Sequence, residues 1–174
     1  MCVRYESPDG LVLMDPQLWP DGDDSFLELG GRPVRVLLTG PWHERDARLF
    51  VDRYGASVWA PPRAKWKGPS LTTTDELPAG VEAFAPEGDD NLSLFYIGEH
   101  RTLFTGDVFS GTGGRFHVFI DEEEIAEENR DSFLDSLERL ADLPIERVLI
   151  AHGESIFENG AARIREAVEE ARAD

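Results

Sequence analysis

Short apolar runs separated by turn-forming residues set the pattern of this chain. Val3–Tyr5 and Leu11–Met14 read as paired strands of a hairpin, because Ser7-Pro8-Asp9-Gly10 between them supplies the φ preferences of a tight turn. Asp15-Pro16 ends the second strand, and the Gly, Pro and Asp content of residues 16–33 predicts an irregular connection. Val34–Leu38 is an apolar run between Pro33 and Gly40, the mark of a strand covered on both faces, and a loop follows over Thr39–Trp42. Over 44–54 the spacing of Ala47, Leu49, Phe50 and Tyr54 turns helical, and Gly55 is placed to stop that helix. Val58–Ala60 resumes as a strand, and Pro61–Pro78 reads as loop. Val81–Phe84, Leu92–Ile97 and Thr102–Phe104 follow as an antiparallel meander, with a turn at Gly98–His100. Phe133, Leu134, Leu137 and Leu140 make the apolar stripe of a helix over about 122–141. Val148–Ile150 is one more buried strand, and Ile164 with Val168 marks a terminal helix. This order of elements predicts an α/β sandwich of αββα type within one domain, 1–174.

Composition narrows the partners more than the activity. The 174 residues are 41% hydrophobic and 10% aromatic, enough apolar surface to fold despite a formal charge of −18 from 35 acidic and 17 basic residues. A field of that sign repels nucleic-acid backbones and anionic membranes, so neither is expected as a partner. The acid is spread over Asp21–Asp24, Asp121–Glu128 and the last helix, as on a solvated surface. Cys2 is the only cysteine, which excludes an internal disulfide or a cysteine-cluster zinc site and suits the cytoplasm. No apolar stretch approaches the roughly 20 residues that cross a bilayer.

Three segments together resemble the metallo-β-lactamase superfamily. Leu11-Val12-Leu13-Met14-Asp15-Pro16 is similar to the strand ending in an aspartate that precedes that family's metal loop. Leu103-Phe104-Thr105-Gly106-Asp107 is similar to the strand carrying its bridging aspartate. Val148-Leu149-Ile150-Ala151-His152-Gly153-Glu154 is similar to the late strand and loop whose histidine binds the second metal. The segments fall in the family's order over nearly the whole chain. The resemblance implies the metallo-β-lactamase fold, and because members usually carry a further strand pair upstream, either a member shortened at the N-terminus or a true start upstream of Met1. An exposed sheet edge there would suit a homo-oligomer.

The metal loop departs from the family. Its His-x-His-x-Asp-His run corresponds here to Thr39-Gly40-Pro41-Trp42-His43-Glu44-Arg45-Asp46-Ala47. Read without a gap, Gly40 and Trp42 take the first two histidine positions, Glu44 the aspartate and Arg45 the last histidine. The middle histidine should fall near Glu87–Asn91, where none stands. A zinc site stripped of ligands loses much of a binding free energy on the order of 10 kcal/mol or more, so an intact dinuclear zinc centre is not expected. Arg45 would repel a metal and is instead placed to pair with Asp107.

What remains is His43, Asp107 and His152 as ligands for a single divalent metal (zinc, manganese or iron), or no metal at all. Asp107 or Glu44 is then the carboxylate that serves catalysis, and the reaction class is hydrolysis of an ester, thioester, lactone or phosphoester. The other expectation is a non-catalytic cleft that binds a small anion or a partner chain through Trp42, Arg45, Arg115 and His117. Ser110-Gly111-Thr112-Gly113-Gly114-Arg115 offers backbone amides for an anion, or a flexible rim. Trp42, Trp59 and Trp66 are candidates for a pocket wall or for packing.

Overall fold

A computed structural model of the chain describes residues 3–18, 30–62, 71–121 and 125–173. Cys2, Trp66 and the acidic run Asp21–Asp24 lie outside them.

The hairpin predicted at the start forms as β1 (Val3–Ser7) and β2 (Gly10–Met14), paired antiparallel. Strand β2 then pairs in parallel with β3 (Val34–Leu37), and β3 with β4 (Ser57–Trp59), giving a first sheet in the order β1-β2-β3-β4. Every residue of β2 is buried, because alternate side chains enter two different cores. Leu11 and Leu13 face helix α1 (Ala47–Tyr54) together with Val34, Val36 and Phe50. Val12 and Met14 face the second sheet, alongside Leu37 and Trp59.

That second sheet runs β10-β7-β6-β5, built from β5 (Val81–Phe84), β6 (Leu94–Ile97), β7 (Thr102–Phe104) and β10 (Arg147–Leu149). Its pairs are antiparallel except β7 with β10, which is parallel. Phe95, Ile97 and Phe104 fill the space between the sheets. Leu94, Tyr96, Leu103 and Val148 point the other way, onto helices α2 (Arg130–Leu140) and α3 (Gly160–Ala173). The layers are therefore helix, sheet, sheet, helices, the αββα sandwich anticipated from the pattern. No helix among the described residues is long and apolar enough to cross a membrane.

Helix ends differ from the sequence reading for local reasons. Helix α1 begins at Ala47 rather than 44, because Pro41–His43 forms a 3-10 turn and Arg45 takes φ 40°. Gly55 ends it as expected, with φ 62° and its N–H donating to Phe50 and Val51 carbonyls. Helix α2 begins at Arg130, after a 3-10 turn over Glu127–Asn129. A short hairpin of β8 (Phe109–Ser110) and β9 (His117–Val118) was not anticipated.

Candidate functional site

The parallel pairs β2–β3 and β7–β10 each release their loops at one end of a sheet, and these ends meet. From the first sheet come Asp15, just past β2, and Thr39 and His43 beyond β3. From the second come Asp107 beyond β7 and His152 beyond β10. Gly106 lies against Thr39 where the two loops meet. It holds φ 55°, and a Cβ there would stand 2.3 Å from Thr39 Oγ1, so the bare backbone lets the threonine reach inward. On the other flank Gly153 (φ 96°) lies against Gly111, whose N–H donates to the His152 carbonyl at 2.9 Å.

Asp15 is wholly buried and organises one side. Its Oδ1 accepts from Thr39 N (2.8 Å), and its Oδ2 accepts from Thr39 Oγ1 (2.6 Å). His43 Nδ1 lies 2.8 Å from that same Oδ2 and 2.7 Å from Thr39 Oγ1. Since the threonine hydroxyl gives its proton to Asp15, Nδ1 is the donor here. Tautomer and ring orientation are thereby fixed. The ring's other nitrogen, Nε2, sits 3.0 Å from Asp107 Oδ2, which also accepts from Trp42 Nε1 at 3.2 Å. Asp107 Oδ1 is buried without a hydrogen-bond partner, 3.4 Å from His152 Nε2.

Burial opposes a charged His43, but hydrogen bonds to Asp107 and Asp15 outweigh it and push the pKa from 6.5 up to about 9. Burial would likewise raise Asp107; the hydrogen bond from His43 and the charge of both histidines hold it below the usual carboxylate range. His43 thus has a folded-state pKa above its unfolded one, so its protonation contributes stability that is fully present below pH 6.5 and lost as pH rises through about 9. The metal-free protein should lose about 3 kcal/mol between neutral pH and about 10, and His43→Asn should flatten that slope. Urea denaturation across this range checks it, and parallel slopes for the two proteins would refute it.

The residues named from sequence divide clearly. His43, Asp107 and His152 come together, with one donor atom from each within 4.8 Å of the others, the one such group among the described residues. Trp42 joins them through Asp107. Glu44 turns away, its Oε1 3.3 Å from Arg48 Nη2 on α1. The partners of Asp107 are His43, Trp42 and His152 in place of the expected Arg45. Arg115 reaches across to Glu170 on α3 at 2.8 Å, and His117 Nδ1 bonds the Arg115 carbonyl at 2.9 Å, so both line a separate groove beside Ala167. Trp59 packs edge-on against Phe95 between the sheets, 5.3 Å between ring centres.

Two parts of the site had signals in the sequence that gave no role. Asp15 was legible as the end of a strand and Thr39 as the start of a loop, but not as the pair that orients His43. The gapless reading also put Trp42 where a ligand belongs. The 3-10 turn begun by Gly40-Pro41 instead buries His43 (3% exposed) and leaves Trp42 at the rim (38% exposed). Asp89, in the segment where the middle histidine was sought, is buried, accepts from Asn91 N at 2.8 Å and lines the same recess as Trp42.

The donor set suits one metal ion. Two imidazoles and one carboxylate converge, one imidazole is already oriented by a carboxylate behind it, and a buried carboxylate oxygen lacks a partner.

A family description, "Metallo-beta-lactamase superfamily", matches residues 2–171. No curated protein matches the chain by sequence. Solved structures do match in fold. One is TTHA1623 in a di-iron-bound form, with TM-score 0.70 and 21% identity over 95% of this chain and 92% of that one. Another is TTHA1429, a metallo-beta-lactamase family protein of Thermus thermophilus, with TM-score 0.63 and 19% identity over 98% and 72%. VMB-1 superposes with TM-score 0.71 at 11% identity, over 99% and 84%.

Proposed function

The chain belongs to the metallo-β-lactamase superfamily, and from that premise we propose that it is a hydrolase working with one divalent metal ion held by His43 Nε2, Asp107 and His152 Nε2. The observation that carries this reading is the 3.0 Å contact between His43 Nε2 and Asp107 Oδ2. With Nδ1 committed as a donor to Asp15 and Thr39, a neutral ring presents a lone pair toward a carboxylate oxygen. Two acceptors so close require a positive charge at their junction, either a proton or a metal ion. The partnerless Asp107 Oδ1 and the nearby His152 supply the rest of a site for the latter. A neighbour in fold carries two irons; this donor set serves one ion.

Such an ion would lower the pKa of a bound water toward about 7 and polarise a scissile carbonyl or phosphoryl oxygen. Asp15 and Thr39 keep the His43 ring in place, and Trp42 Nε1–H holds one Asp107 oxygen. Asp107 is the carboxylate at the reacting position that can accept a proton, since Glu44 is turned toward Arg48. His152 stands at the exposed mouth, where substrate enters.

A non-catalytic binding cleft is the second reading, favoured by one observation: a protonated His43 satisfies Asp15 and Asp107 without any metal. Anaerobic reconstitution with zinc, manganese and iron(II) separates the two. One metal per chain by elemental analysis and turnover of at least one ester, lactone or phosphoester are expected, with both lost in His152→Ala. Only trace metal after desalting would end the hydrolase reading.

A further inference from the structure

The outer strands of the two sheets differ in what covers them. Beyond β4, Thr74 N donates to the Val58 carbonyl at 2.8 Å. Beyond β10, Val148 and Ile156 exchange both backbone hydrogen bonds, at 2.8 and 2.9 Å. Strands β1 and β5 close the other ends of their sheets, and among the described residues each pairs along one side only. An edge strand of that kind is a template for another strand, and charge decides whether a second copy can be that strand. Glu82 is the one charged residue of β5, so no pairing of β5 with itself brings opposite charges together. Strand β1 carries both signs, with Arg4 and Glu6 exposed on the same face and 2.6 Å apart at their closest atoms.

The register of a β1–β1 pair follows from the hairpin. Ser7 and Gly10 are the closing pair of a two-residue turn and exchange both of their backbone hydrogen bonds. Alternation then turns the N–H and C=O of Val3, Tyr5 and Ser7 toward β2, and those of Arg4 and Glu6 away from it. Outward groups bond only outward groups, so Arg4 and Glu6 of one copy must face Arg4 and Glu6 of the other. A two-fold axis at Arg4 sets arginine against arginine, and one at Glu6 sets carboxylate against carboxylate. An axis at Tyr5 sets Arg4 against Glu6 on both sides of it, with like charges nowhere opposed. Tyr5 leaves the axis clear, because its side chain is buried between the sheets with its ring edge-on to His100 at 5.6 Å. Charges around β1 are balanced locally as well: Arg32 lies 3.3 Å from Glu6, and Arg35 lies 3.9 Å from Asp9. A chain of net charge −18 repels its own copies, but at physiological ionic strength that repulsion is screened beyond about 8 Å, and within that range a balanced edge is what a copy meets.

We propose that two copies of this chain associate through β1, antiparallel about a two-fold axis at Tyr5, so that the first sheet continues from one copy into the other. Arg4 and Glu6 of each copy pair with Glu6 and Arg4 of the other, in backbone hydrogen bonds and in charge. The axis reverses strand direction, so the two His43–Asp107–His152 groups open toward opposite ends of the joined sheet and each stays within one chain. The association is therefore independent of the hydrolase reading.

Sedimentation equilibrium of the full chain should show a dimer that dissociates on dilution, and the amides of Arg4 and Glu6 should be protected from hydrogen exchange in the dimer and open to it in the monomer. Arg4→Glu and Glu6→Arg each oppose like charges on both sides of the axis, and each should weaken association at least about tenfold. Both positions are exposed, and circular dichroism checks that the variants stay folded. Mixed in equal amounts, the two variants again set opposite charges across the axis and should associate as the unaltered chain does. A monomer at every concentration would overturn the proposal, and protected Arg4 and Glu6 amides in that monomer would mean that another segment of the same chain fills the edge. A dimer indifferent to the substitutions, or one that the mixture fails to restore, would overturn it too.

Discussion

Asp15→Ala should cost the fold about 3–5 kcal/mol, the largest stability effect expected of any single change at the site. Asp15 is fully buried and accepts from Thr39 N, from Thr39 Oγ1 and from His43 Nδ1. Truncation leaves those donors without an acceptor in a space closed to water, and it strands the charge that the array keeps on His43. Backbone geometry adds to the loss, because residue 15 holds φ 47°, a conformation that aspartate and asparagine tolerate better than alanine. Asp15→Asn keeps shape and φ tolerance but removes the charge and exchanges one acceptor oxygen for an NH2 donor, so it should cost less than alanine while still weakening the array, and should bring the His43 pKa down from about 9. Urea denaturation at neutral pH, with the His43 ring followed by NMR, reads both effects. A loss below about 1 kcal/mol for the alanine variant would mean that the array is looser than its distances imply.

How far the sequence foretold this site depends on the range over which each feature is decided. Strand β2 was legible because Leu11, Val12, Leu13 and Met14 are apolar on both faces, and its two-sided burial follows. The Gly55 helix stop was legible because a left-handed cap needs only local chemistry. Asp107 and His152 were named because their segments resemble the family's ligand-bearing strands and loops, and parallel pairing of β7 with β10 delivers both to one end. The β8–β9 hairpin was not, since two-residue strands have no alternation to read. His43 was named as a donor, but its burial was not legible, because the turn after Gly40-Pro41 decides which side chain faces inward. Arg115 was misplaced for a different reason: its partner Glu170 lies 55 residues away on α3, and no local pattern announces that pairing.

Asp107→Ala should abolish metal uptake while leaving the chain folded. Asp107 is the one carboxylate in the group and the residue that lies between the two histidines, 3.0 Å from His43 and 3.4 Å from His152. Without it the remaining donors are two neutral imidazoles, and one of those bonds is worth far less when no anion offsets the ion's charge. Changes behind a ligand typically cost roughly 10–100-fold in affinity, and Thr39→Val, which only loosens the support of His43, should fall in that range. Loss of a ligand itself should exceed it, giving a drop of more than about a hundredfold in zinc affinity by competition with a chromophoric chelator. Stability should change much less than for Asp15→Ala, because Asp107 is partly exposed and His43 keeps Asp15 as a partner. The two substitutions therefore separate the roles of the two aspartates: Asp15 sustains the fold and the imidazole's orientation, Asp107 the ion. Equal zinc affinity in the wild type and in Asp107→Ala would place the ion elsewhere and remove His43 and His152 from its coordination as well.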